Sequence, residues 1–179
     1  DSIAQAAAEL APQGPWQLIL LATGLLHASD IRPEKRLADL QADALRHLME
    51  VNTIGTALVL RHFAPLLDRQ HSVMGLLSAK VGSIGDNRLG GWYGYRASKA
   101  ALNMMVRTAA IEVRRTHPGA VLAAVHPGTV STALSRPFRG EELGRAPEQA
   151  AREILQALGT LQPEDTGCFI AYDGSRLPW

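Results

Sequence analysis

Tyr95 and Lys99 stand four positions apart in Tyr95-Arg96-Ala97-Ser98-Lys99, so on a helix they share one face. A free tyrosine titrates near pH ~10 and keeps its proton at neutral pH. An ammonium beside it favours the phenolate and lowers that pKa. Such a pair shuttles a proton near pH ~7. Ordinary surface pairs show the same spacing by chance, so its weight depends on the surroundings. Here a glycine-rich loop, Gly82, Gly85, Gly90, Gly91 and Gly94, leads from a strand pattern into the helix that bears the pair.

Strand and helix patterns alternate along the chain. Trp16 to Ala22 is a short apolar run between Gly14-Pro15 and Thr23-Gly24, and it reads as a strand buried on both faces. Further strands are expected over Ser72 to Leu77, Ala120 to Val125 and Thr166 to Tyr172. Helices are expected from the first residues to Leu10, capped by Asp1 or Ser2, over about Leu37 to Leu67, over Ala97 to Arg115, and from Pro147 to about Leu158. This order predicts an α/β fold, a doubly wound parallel sheet in three αβα layers of Rossmann-like type, as a single domain over 1–179 with right-handed crossovers. Ligands of such sheets bind beyond the carboxyl ends of strands. The segments to inspect are therefore Thr23-Gly24, Ser78 to Gly94 and His126 to Thr132.

The chain has 179 residues, 46% of them apolar and 20% charged, with a net charge of +1. That composition suits a folded domain with a real core and excludes a disordered chain. The charge balance carries no footprint for nucleic acid or an anionic membrane. No run approaches the ~20 apolar residues of a membrane span. The one cysteine, Cys168, excludes an intrachain disulfide and a cysteine zinc cluster and fits a cytoplasmic setting. No metal site is expected.

The stretch Gly82-Ser83-Ile84-Gly85-Asp86-Asn87, Gly90-Gly91 and Tyr95-Arg96-Ala97-Ser98-Lys99 resembles the short-chain dehydrogenase/reductase family, in its C-factor-like and sniffer-like carbonyl reductase branch. The resemblance runs the length of the chain. It implies an NAD(P)-dependent interconversion of a carbonyl and an alcohol by hydride transfer. Tyr95 would be the general acid for reduction and the base for oxidation. Lys99 would bind the nicotinamide ribose. Asn52, in Asn52-Thr53-Ile54-Gly55, matches the family asparagine that perturbs its helix and anchors a proton relay. Pro127-Gly128 and Thr132 match the turn beside the nicotinamide, and Thr23-Gly24 stand where the family has Asn-Asn-Ala-Gly, with both asparagines replaced. His126 is read as structural.

The family serine that polarises the carbonyl has two candidates. Its usual slot holds Ala79. Ser78 ends the strand one residue early, which turns its side chain to the other face. Ser83 lies near the family spacing from Tyr95, in a loop of altered length. Strand position ranks Ser78 first.

The family fingerprint Thr-Gly-x-x-x-Gly-x-Gly, which cradles pyrophosphate, does not occur in these residues. The chain opens without Met, as a helix entered mid-domain. The resemblance therefore implies an N-terminally incomplete fold, the C-terminal two-thirds of a family member, lacking two βα units on the order of 60 residues. NADP is favoured over NAD as the cofactor. A small carbonyl or alcohol is the expected substrate. The apolar circumference of Ala100 to Val113 and Leu45 to Phe63 implies a homo-oligomer, a dimer or tetramer. Ser135 to Arg145 reads as a mobile cover for the substrate, its arginines as solvated charge. The alternatives are a noncatalytic signalling or nucleotide-binding protein on the same scaffold and an inactive truncated remnant.

Overall fold

The structure, a computed structural model, describes residues 2–179, so Asp1 and its expected cap lie outside the described residues. Four strands pair in parallel in the order β1-β2-β3-β4: β1 Leu18–Leu21, β2 Ser72–Leu77, β3 Ala120–His126 and β4 Cys168–Ala171. Helix α1 (Ser2–Leu10) precedes the sheet. Helices α2 (Ala42–Met49) and α3 (Gly55–Phe63), joined through a π-turn at Glu50–Ile54, link β1 to β2. Helix α4 (Tyr93–Val113) links β2 to β3, and the short α5 (Gly140–Leu143) with α6 (Pro147–Gly159) links β3 to β4. The parallel α/β sheet read from the sequence is present.

The two-residue period of β3 divides the core. Leu122 and Ala124 pack with Leu102, Val106 and Ala110 of α4, with Leu60 of α3, and with Met74 and Leu76 of β2. Val121, Ala123 and Val125 face the opposite way, onto Ile154, Ala157 and Leu158 of α6. Each fully buried Leu, Ile, Val or Met side chain among these contributes roughly 1.5–3 kcal/mol. Because the strand order advances in one direction while α6 covers the other face, the last crossover has the opposite hand to the two before it. That corrects the expectation of uniformly right-handed crossovers. The connection from β3 to α6 is long enough to carry the chain around the sheet end before the helix starts.

β1 also departs from its expected burial. Among the described residues it pairs only with β2, and Leu18 and Leu20 are exposed while Ile19 and Leu21 pack on the α3–α4 side. A continuous apolar run does not encode which neighbours cover each face.

The turn before β3 is closed by backbone contact. The Gly119 N–H donates to the Arg69 carbonyl at 2.9 Å, and a Cβ on Gly119 would lie 1.9 Å from the Gln70 carbonyl oxygen. Gly119→Ala is therefore expected to destabilise the protein by about 3 kcal/mol, because backbone on both sides must move. A urea midpoint unchanged from the parent would show that the turn yields freely.

Candidate active site

The carboxyl ends of β1, β2 and β3 bring together most of the residues singled out in the sequence. Lys99 lies on the inner face of α4 and is 2% exposed. Its Nζ donates to the Leu77 carbonyl at the end of β2, at 2.9 Å. The same Nζ lies 5.8 Å from the centroid of the Tyr95 ring, so the two side chains face one another as helical spacing requires. Gly24, just beyond β1, adjoins them: a Cβ there would lie 3.3 Å from Lys99 Nζ and 3.6 Å from Asn52 Oδ1. Thr23 beside it is exposed.

Asn52 is 1% exposed and sits inside the π-turn, the helix irregularity expected at this point. Its Oδ1 accepts the Leu25 N–H at 2.8 Å, and its Nδ2 donates to the Leu25 carbonyl at 2.8 Å and the Ser98 hydroxyl at 2.9 Å. The Thr56 hydroxyl donates to its backbone carbonyl at 2.8 Å. The amide thus ties the loop after β1 to α4, one residue before Lys99.

The serines separate. The Ser78 hydroxyl donates to Asn103 Oδ1 on α4 at 2.6 Å, facing away from the aromatic cover as strand alternation requires. Ser83 is buried and its Oγ accepts the Asp86 N–H at 3.1 Å, which leaves its own proton uncommitted. Ala79, between them, packs in the cluster that includes Tyr95 and Leu26, with Val81, Trp92 and Phe138 against it.

That cluster covers the phenol, which is 8% exposed. Trp92 meets Tyr95 edge-on at 6.2 Å, and Phe138 lies 4.9 Å from Trp92 and 5.8 Å from His27. The His27 ring contacts the Leu134 carbonyl at 3.1 Å. The sequence flagged Phe138 only as part of a cover and missed Trp92, His27 and Leu26, whose types gave no chemical signal. The cover is tied down: the Ser131 N–H donates to the Arg145 carbonyl at 2.9 Å, and the Arg145 N–H to Thr129 at 3.0 Å. The Arg145 guanidinium donates to the Pro127 carbonyl, pairs with Glu153 and stacks 3.4 Å from the Tyr172 ring centroid. It thereby fixes the Pro127-Gly128 turn, where Gly128 takes φ 68°. Thr132 is exposed at its far end. Arg136 and Arg139 pair with Glu141 and Glu142 at the surface.

Burial dominates the electrostatics. The phenol of Tyr95 is pushed up to about 12 by loss of water, not down as the neighbouring ammonium alone would have it. Burial likewise pushes Lys99 down to about 8. The helical spacing was right, but desolvation outweighs the ammonium at this separation. The Tyr95 proton is therefore held at neutral pH. Burial, then Lys80 and Arg145, push His126 down to about 4, so its ring is neutral, with Nδ1 unbonded among the described residues.

The sign of the pH dependence follows. Between pH about 8 and 10.5 the unfolded lysine holds a proton that folded Lys99 has lost, so stability rises with pH in that window. Between about 10 and 12 the folded phenol keeps a proton that the unfolded one has lost, so stability falls. Chemical denaturation across this range is expected to show the rise in the parent and its loss in Lys99→Met. A parent profile falling steadily from pH 8 would contradict the burial of Lys99.

The family model described as enoyl-(acyl carrier protein) reductase matches residues 2–176. The chain is 33% identical over 179 residues to 1-hydroxy-2-glutathionyl-2-methyl-3-butene dehydrogenase of Rhodococcus sp. (strain AD45), spanning 100% of this chain and 76% of that one. It is 33% identical over 145 residues to the C-signal protein of Myxococcus xanthus, spanning 80% of this chain and 83% of the other. In fold it is similar to the carbonyl reductase Sniffer of D. melanogaster, with TM-score 0.84, 21% identity, and 100% and 74% of the two chains covered. An NADPH-bound carbonyl reductase from chicken fatty liver gives TM-score 0.79 at 24% identity, over 99% and 73%. With a matched family model over nearly its whole described length and a one-third-identical dehydrogenase spanning it, the chain belongs to the short-chain dehydrogenase/reductase family of oxidoreductases.

Proposed function

We propose that the protein reduces a small carbonyl compound with a nicotinamide cofactor, and that Tyr95 delivers the proton to the carbonyl oxygen. The observation that carries this is the buried Tyr95–Lys99 pair at the carboxyl end of the sheet, with its phenol protonated at neutral pH. The residues present fit the nicotinamide-ribose end of a cofactor. Lys99 spends one of its three protons on Leu77, and Gly24 sets backbone rather than a side chain against the buried ammonium, where ribose hydroxyls would need to reach it. Pro127-Gly128 and Thr132 would border the nicotinamide. A bound NAD(P) supplies the hydride.

The chain's own residues do the rest. Tyr95 donates its proton as negative charge develops on the substrate oxygen. Lys99 favours the resulting phenolate and would take up ribose hydroxyls. Asn52 holds Gly24 and α4 in register around that ammonium and would anchor proton return. Ser83, whose proton is uncommitted, is placed ahead of Ser78 to orient the substrate, because Ser78 has spent its proton on Asn103. The Trp92–Phe138 cover excludes water and favours an apolar substrate. The NADPH-bound carbonyl reductase of the same fold supports NADP over NAD. Exposed Ile54, Met104 and Ile111 on the outer side of the α3–α4 layer support a homo-oligomer. No described helix is long and apolar enough to cross a membrane.

The test is NADPH consumption by the full protein with a panel of aldehydes and ketones, with alcohol identified as product. Nucleotide binding without any turnover would instead favour the noncatalytic reading, which the similarity to the C-signal protein motivates.

A further inference from the structure

We infer that Glu34 is a positioning residue that holds the head of α4, and with it the Tyr95 phenol, from the far side of the site. The inference rests on the assignment of Tyr95 as proton donor. Helix α4 starts without a local cap: Trp92 precedes it in left-handed backbone at φ 54° and makes no side-chain capping bond. A bulky residue rarely adopts that conformation unless something holds it. The N–H groups of a first helical turn also lack intrahelical acceptors.

Glu34 answers both needs. Its backbone carbonyl accepts the Trp92 N–H at 2.5 Å. Its side-chain Oε2 accepts the Gly94 N–H at 3.2 Å. The residue is 4% exposed, and its Oε1 has no hydrogen-bond partner among the described residues. A buried polar side chain without a partner is costly, and the Gly94 N–H is the donor this side chain takes.

The seat is shaped for this group. A Cβ on Gly94 would lie 2.8 Å from Leu48 Cδ1, 2.9 Å from Glu34 Oε1 and 3.0 Å from Leu45 Cδ2. Only a glycine N–H lets the carboxylate approach the first turn so closely. Tyr95 follows Gly94 directly, and the Trp92 ring, whose backbone Glu34 also holds, is the wall against the phenol. Displacing Glu34 therefore moves the proton donor and its wall together.

Amide hydrogen exchange on the full protein tests this with Glu34→Gln, Glu34→Asp and Glu34→Ala. The Gln amide keeps a carbonyl acceptor at the same reach, so protection from Gly94 to Ser98 is expected within about threefold of the parent. Asp is one methylene short and Ala has no acceptor. Both are expected to lose about tenfold or more protection there, with the amides of β3 unchanged. In NADPH-dependent aldehyde reduction, kcat is expected to fall about tenfold in Asp and Ala and to be restored in Gln, with KM within about twofold. A ranking with Asp above Gln would mean that charge rather than reach matters, and would overturn the inference. So would equal loss of protection in α4 and β3, which would mark Glu34 as a general stabiliser. A parent without turnover would sink the redox reading alone, since the exchange ranking needs no substrate.

Discussion

Tyr95→Phe is expected to abolish carbonyl reduction, lowering kcat about a thousandfold, while nucleotide affinity changes by less than about threefold. The ring packs against Ala79, Leu26 and Trp92, and a phenylalanine keeps all of that surface. The stability change is therefore expected within about 1 kcal/mol, so lost turnover cannot be put down to unfolding. What disappears is a buried proton donor that faces Lys99 at the sheet end. Steady-state kinetics and nucleotide titration on the same preparations check it. A variant turning over within tenfold of the parent would move the proton donor elsewhere, to Ser83 or a water.

A stability effect as large as that at Gly119 is expected at Asn52. Asn52→Ala removes one acceptor and two donor bonds from the Leu25 backbone and the Ser98 hydroxyl, all at a site 1% exposed. Leaving such groups unpaired costs about 1 kcal/mol or more each, so a loss of about 3 kcal/mol is expected. In thermal unfolding that is a midpoint lower by about 9 °C. Asn52→Asp keeps the shape but cannot donate to the Leu25 carbonyl, and it is expected to rescue little. The same change frees the loop that carries Gly24, so kcat should fall in step. A loss below about 1 kcal/mol would show that water replaces the amide and that the clamp is not what fixes this corner.

What was legible in the sequence was what local pattern encodes. The apolar run from Ala120 to Val125 identified a strand, and Tyr95 and Lys99 share a helical face as their spacing requires. Strand position ranked Ser78 ahead of Ser83, but its hydroxyl is bonded to Asn103. Three features depended on distant partners and were not legible. β1 has one open face because of where it falls in the sheet order. α4 begins at Tyr93, ahead of Ala97, because its cap comes from Glu34 in another loop. The phenol titrates high, not low, because Trp92 and Phe138 close over it, and neither residue type announced that role. Family resemblance supplied residue roles; it could not supply those neighbours.

Proton delivery from Tyr95 to a substrate that receives hydride at the adjoining carbon is the proposed step on which the other residue roles depend. Reduction of an aldehyde by the full protein with NADPH deuterated at the transferable position of its nicotinamide ring tests that most directly. Mass spectrometry is expected to find deuterium on the carbinol carbon of the alcohol with the parent protein and about a thousandfold less labelled alcohol over the same time with Tyr95→Phe. Labelled alcohol formed equally by both proteins, or formed by neither although nucleotide binds, would contradict it.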